Sequence, residues 1–198
     1  MLLLVVIPLF KSGYGAKIQY RVTLINNNET IICYSPSRSD NFIPLMDEMR
    51  DRIVAQAKRH RTKCVEFLRE LIATPSESQQ EEAIALRVRK EMLELNYDSV
   101  DIDRFGNVIG RIGSGPTRIL FDAHLDTPGI GDKASWRFDP YKGDMKAGKI
   151  YGHGAANNKG GLAAIIYAGA VIKELDLADE CTIFVVGSVQ AESCEGLA

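Results

Sequence analysis

The chain has 198 residues, 24 Lys and Arg against 26 Asp and Glu for a formal net charge of −2, and 45% hydrophobic residues. This balance is too apolar for a disordered chain and too evenly charged for a membrane protein. It also lacks the cationic excess that a general nucleic-acid binder needs to neutralise phosphates.

The length suits one domain, or one domain with a tail, large enough to bury a sizeable core. Residues 1–10 (MLLLVVIPLF) are strongly apolar. They are too few to span a bilayer, which takes about 20 residues. Neither a basic flank nor a clean small-x-small cleavage site marks them as a signal peptide, so they read as a buried strand. Residues 17–25 and 30–34 read as further strands around the turn-forming Asn26-Asn27-Asn28. Asn28-Glu29-Thr30 is a formal glycosylation sequon of little weight in a chain expected to be cytoplasmic. That expectation comes from Cys33, Cys64, Cys181 and Cys194, which are scattered without a C-x-x-C pair and suggest neither a disulfide framework nor a structural zinc site.

After a Ser- and Pro-rich stretch at 35–40, the character changes near Pro44. Leu45, Met49, Ile53, Ala57, Cys64, Leu68, Leu71 and Ile72 roughly follow helical spacing and predict a helix over 44–73. The basic run 58–63 within it reads as a solvated face. Thr74-Pro75-Ser76 stops the helix. A second helix is predicted over 79–95, with Glu81 and Glu82 at the end where the helix dipole favours acids. Strands follow at 100–103 and 107–112 around Arg104-Phe105-Gly106, and 117–124 is a short apolar run suited to a buried strand. A weak strand at 149–152, a Gly-rich stretch to Gly161, a helix over 162–175 and a buried strand over 182–190 complete the order. Strands alternating with helices predict an α/β layered domain.

Three features fall near strand ends, where open α/β sheets place their sites. In His124-Leu125-Asp126, side chains two residues apart on a strand share a side. Such a pair suits a metal-binding imidazole whose second nitrogen is held by a carboxylate. On the tripeptide alone, a packed His beside a capping Asp is the better reading. In 151–161 (YGHGAANNKGG), Gly152, Gly154, Gly160 and Gly161 permit tight backbone before a helix. Helix N-termini attract anions, but neither G-x-x-x-x-G-K-[ST] nor G-x-G-x-x-G is present, which argues against a nucleotide. In 189–196 (VQAESCEG), Glu192 lies just past a buried strand and alone would be an ordinary loop carboxylate. No His follows Cys194, which reads as structural.

Together these features resemble the zinc aminopeptidase-like M20 family of acetylornithine deacetylase, succinyl-diaminopimelate desuccinylase, aminoacylase and carboxypeptidase G, and within it the YgeY-type branch. The resemblance is carried by Asp122-Ala123-His124-Leu125-Asp126-Thr127, Trp136-Arg137-Phe138-Asp139-Pro140-Tyr141, Tyr151-Gly152-His153-Gly154-Ala155 with Lys159-Gly160-Gly161, and Val189-Gln190 with Glu192-Ser193-Cys194-Glu195-Gly196. The turn Asp103-Arg104-Phe105-Gly106-Asn107-Val108 also fits. It covers 43–198 as the first half of a catalytic domain. Residues 1–42 form a β-rich leader unlike the family, and the lid and dimerisation domain and the second half would lie beyond Ala198. The resemblance leaves open a fragment, a truncated frame or a decayed copy.

The resemblance implies an α/β domain with a layered mixed sheet flanked by helices, and a dinuclear zinc, cobalt or manganese hydrolase of amide bonds in small acylamino acids or peptides; the cysteine pattern and the composition add the expectation of a cytoplasmic chain with no nucleic-acid or membrane partner. His124 would ligate one metal, Asp126 would orient His124, and Glu192 would ligate the other metal. Two positions depart from the family. Asn157 stands where an acidic ligand bridges the metals, and a neutral amide offers one good oxygen and no charge. Ala191 stands where a Glu acts as general base. Such a base supplies about 10²–10⁴-fold in rate, and Glu195 lies three residues on, expected to point elsewhere. The expectation is at most one ion and no turnover by this chain. The competing reading is a non-catalytic remnant or binding protein of the same fold, and a nucleotide-binding module ranks last.

Overall fold

The computed structural model describes the backbone of residues 3–9, 19–26, 29–32 and 42–193, with side chains from Asp47 to Ser193. Asn27, Asn28 (the acceptor of the sequon), the 35–40 stretch, Cys33, Cys194 and Glu195 lie outside the described residues.

Contacts divide the chain into two units, Met1–Gln56 and Ala57–Ala198. The first holds a three-stranded antiparallel sheet of β1 (Leu3–Leu9), β2 (Gln19–Asn26) and β3 (Glu29–Ile32), in that order, with Asn26 opposite Glu29. Helix α1 (Phe42–Ala73) starts two residues before the expected Pro44. Proline is tolerated there because a first-turn N–H has no partner within the helix.

In the second unit, the last part of α1, α2 (Glu82–Glu94) and α3 (Gly160–Glu174) enclose a core with a mixed sheet. The sheet comprises β4 (Ser99–Ile102), β5 (Val108–Ile112), β6 (Thr117–His124) and β9 (Cys181–Ser188), in the order β4-β5-β9-β6. Phe67 and Leu71 of α1, Val88 and Met92 of α2, and Leu162 and Ile166 of α3 are all buried in this core with Val108, Ile112 and Val185 of the sheet. A two-stranded ribbon, β7 (Asp144–Lys146) with β8 (Lys149–Tyr151), lies outside the main sheet. No helix among the described residues is long and apolar enough to cross a membrane.

Helix α2 begins three residues later than expected. Gln79 takes a left-handed φ of 70°, and Gln80 N–H closes a turn onto Glu77 O instead of entering the helix. β6 and β9 are parallel, with His124 registered against Ser188, so their carboxyl ends lie side by side. His124 is the last residue of β6, and Asp126 and Glu192 lie on the segments that follow β6 and β9.

Candidate functional site

β6 ends at His124, and the next turn brings the buried Asp126 back against it. His124 Nδ1 lies 2.9 Å from the Asp126 carbonyl oxygen and 3.2 Å from its carboxylate Oδ1. The Ser78 hydroxyl donates to Asp126 Oδ2 at 2.7 Å, and the Glu192 N–H donates to the same oxygen at 2.9 Å. The Ala191 N–H donates to Oδ1 at 3.2 Å. Burial pushes the Asp126 carboxyl upward, but these donors outweigh it and hold it below the usual carboxylate range.

The segment after β9 is pinned throughout. Val189 N–H donates to Asn107 Oδ1 and Gln190 N–H to the buried Glu81 carboxylate, each at 2.9 Å, while Ala191 and Glu192 use Asp126. Consecutive amides are thus received by side chains from separate loops, which fixes where Glu192 stands. Ser78, Glu81 and Asn107 are positioning residues that the sequence reading missed. For Asn107 the signal was present in the Asp103–Asn107 turn, where Asp103 accepts from both the backbone and side-chain amides of Asn107.

Asn157 lies in a π-type turn, Ala155–Lys159, entered through Gly154 at φ 70°. A Cβ on Gly154 would meet Thr127 Cγ2 at 2.6 Å, so this position needs glycine for space as well as conformation. Asn157 itself is non-helical at φ −129° and ψ 91°. Beneath it the Lys159 side chain is fully buried, and its ammonium donates to Leu71 O at 2.7 Å and Thr74 O at 2.8 Å, the carbonyls that end α1. Burial lowers its pKa to about 8. One residue before Gly154, the His153 ring is buried edge-on to Trp136 and Tyr141, and the His153 backbone N–H donates to Pro140 O at 2.6 Å. Desolvation, aided by the Lys159 charge and opposed by Glu77, lowers the His153 pKa.

His124, Asn157 and Glu192 therefore converge from three loops. Asn157 Oδ1 lies 3.2 Å from His124 Nε2, and Asn157 Nδ2 donates to Glu192 Oε1 at 2.6 Å. His124 Nε2 is 3.9 Å from Glu192 Oε1. Ala191 places an exposed methyl beside this cluster, with only its backbone N–H engaged.

A divalent cation sits about 2.0–2.2 Å from nitrogen and oxygen ligands, so an imidazole, a carboxylate and an amide oxygen at these separations suit one ion. One oxygen of Glu192 accepts the N–H of the Asn157 amide, and that neutral amide carries no charge to offset a dication's. Among the described residues no group of three or more His, Cys, Asp or Glu is arranged to hold a metal.

Residues 120–197 match the peptidase family M20/M25/M40. The chain is 45% identical over 145 residues to the uncharacterized protein YgeY of Escherichia coli (strain K12), covering 73% of this chain and 36% of that protein. It is 33% identical over 108 residues to succinyl-diaminopimelate desuccinylase of Methylocella silvestris, covering 53% of this chain and 28% of that one. Among solved structures it resembles the YXEP protein of Bacillus subtilis, a dinuclear metal binding peptidase from the M20 family, with a TM-score of 0.54 and 19% identity over 70% of this chain and 38% of that one. At that identity the likeness is one of fold. The chain spans about a third of the length of these curated relatives.

Proposed function

The chain carries part of a domain of the M20/M25/M40 peptidase family, and on that premise we propose that it belongs to a metal-dependent hydrolase of amide bonds in small acylamino acids or peptides, in a form that does not itself turn over substrate. The peptidase and desuccinylase relatives support the reaction class. The convergence of His124, Asn157 and Glu192 is the observation that carries the reading, because nothing in a purely structural role asks three polar side chains from distant loops to meet at one strand edge.

His124 and Glu192, with the Asn157 oxygen, would hold one divalent cation: zinc, cobalt or manganese. Such an ion polarises a carbonyl and makes a water acidic enough to attack it. The chain's own residues do the rest. Asp126 fixes the imidazole ring and, with Glu81 and Asn107, fixes the Glu192 loop. Ala191 offers no carboxylate at the general-base place, which withholds about 3–5 kcal/mol of barrier lowering. The absence of turnover follows from this methyl and from the Asn157–Glu192 bond, and the same two observations favour a non-catalytic binding protein as the second reading. The cytoplasmic setting rests on the cysteine pattern of the sequence.

The test is an assay of the purified chain on N-acyl amino acids and dipeptides with each of the three metals. Release no faster than in buffer is expected. Metal-dependent turnover that His124→Ala abolishes would overturn the inactive assignment and leave the hydrolase standing.

A further inference from the structure

We propose that a cleft beside the π-type turn, walled by Trp136, Phe138 and Tyr151, is a binding site for a small carboxylate carrying an aromatic or large apolar group, with Arg137 receiving the carboxylate. The cleft measures about 610 Å³, inside the range of about 300–1,000 Å³ typical of small-molecule sites.

Its rings are held in place. Phe138 stacks on Tyr151 at 4.5 Å between centroids and 28° between planes. Trp136 stands edge-on to His153 at 5.6 Å, and its indole N–H donates to Ile130 O at 2.9 Å. Yet Trp136 and Phe138 each remain 36% exposed. Fixed aromatic faces left open to water lose nothing in ordering and gain area when a flat apolar group covers them.

The cleft has one charged wall. Arg137 is the single ionisable basic or acidic side chain lining it, and it makes no ion pair among the described residues. Its neighbours Lys133 and Lys142 are paired with Asp139 and Asp144. A free guanidinium beside apolar rings selects an anion over a cation, and its planar fork matches a carboxylate. The small residues Ala155 and Ala156 complete the lining and immediately precede Asn157, so an occupant lies against the turn that carries the polar cluster. The choice of an N-acylated aromatic amino acid as probe rests on the amide-hydrolase reading above; the cleft and its charge do not.

Trp136 is the chain's one tryptophan, so its emission reports directly on the cleft. N-acetyl-L-phenylalanine, N-acetyl-L-phenylalaninamide and N-acetylglycine are titrated into metal-free protein, with ligand-observed NMR as a second readout. Saturable binding of the acid is expected, with the amide and the ring-less acid each at least about tenfold weaker. Arg137→Gln, at an exposed position, should reduce the acid to the affinity of the amide and leave the amide unchanged. Absence of saturable binding by both readouts overturns the proposal, as does equal binding of acid and amide or indifference to Arg137→Gln. Because no metal and no turnover enter the measurement, a failed hydrolysis assay leaves the cleft untouched, and a failed titration leaves the hydrolase reading untouched.

Discussion

Asn157 Nδ2 donates to Glu192 Oε1 across 2.6 Å, and the oxygen of the same amide faces His124 Nε2 at 3.2 Å. A carboxylate can only accept, so Glu192 dictates which way the amide points and commits one of its own oxygens to the bond. The two ends of the cluster are thereby joined by a neutral connector.

Replacing that connector by Asn157→Asp should separate the two states of the site. Without cations, two carboxylates face each other with the hydrogen bond gone, and stability falls by about 1–3 kcal/mol. With cations, the added charge should tighten Co²⁺ binding by at least about tenfold, or roughly 1.4 kcal/mol. Visible absorption on Co²⁺ titration and urea denaturation with and without the ion check both halves. Unchanged Co²⁺ affinity would show that the amide is not what limits binding.

Lys159→Met tests the support beneath the cluster. The substitution keeps the apolar stem but removes the donor to Leu71 O and Thr74 O. Two unpaired carbonyls at a helix end cost about 1–3 kcal/mol each, offset in part by no longer burying a charge. A net loss of about 2 kcal/mol in urea denaturation is expected; equal or greater stability would mean that water already serves those carbonyls.

Gly169→Ala tests the core under α3. A Cβ there would stand 2.1 Å from Tyr97 Oη, whose hydroxyl donates to Ile166 O at 2.7 Å. Overpacking of this kind costs about 1–3 kcal/mol. The cost should be smaller in a Tyr97→Phe background, where the clashing oxygen is gone. Equal costs in the two backgrounds would place the strain elsewhere.

Acid should weaken the fold through Asp98 and Asp103. Lys173 and the Gly113 N–H hold the Asp98 carboxyl below its usual range. At Asp103 slight burial pushes the other way, but the Asn107 amides and the Phe105 N–H prevail and lower it too. A carboxylate whose pKa is lower in the folded chain adds stability above its unfolded value and loses it as pH falls through the folded one. The urea midpoint should therefore decline below about pH 4. In Asp103→Asn, which keeps an acceptor but not the charge, the decline should be shallower, and an identical decline would exclude Asp103 as a contributor.

Much of this was legible in the sequence. The apolar run at 117–124 is β6 and that at 182–190 overlaps β9, while the meeting of His124, Asn157 and Glu192 was implied by the family resemblance and not by spacing. Three kinds of feature were not. The ribbon strand β7, three residues with a lysine at its end, has no periodicity to read. The start of α2 depended on the left-handed Gln79, a residue type with no local reason to adopt that φ. The acceptor role of Glu81 was hidden for a physical reason: it reaches an amide 109 residues away, and a bond across that separation leaves no mark on its neighbours.

The Asp126 carboxylate serves the imidazole on one side and the amides of Ala191 and Glu192 on the other. It acts as a gauge block: the gap between His124 at the end of β6 and Glu192 beyond β9 is set by the width of one small group, before any ion arrives. Drift of either loop must first break that group's own bonds, so the mouth of the sheet is dimensioned by the protein and not by its cargo.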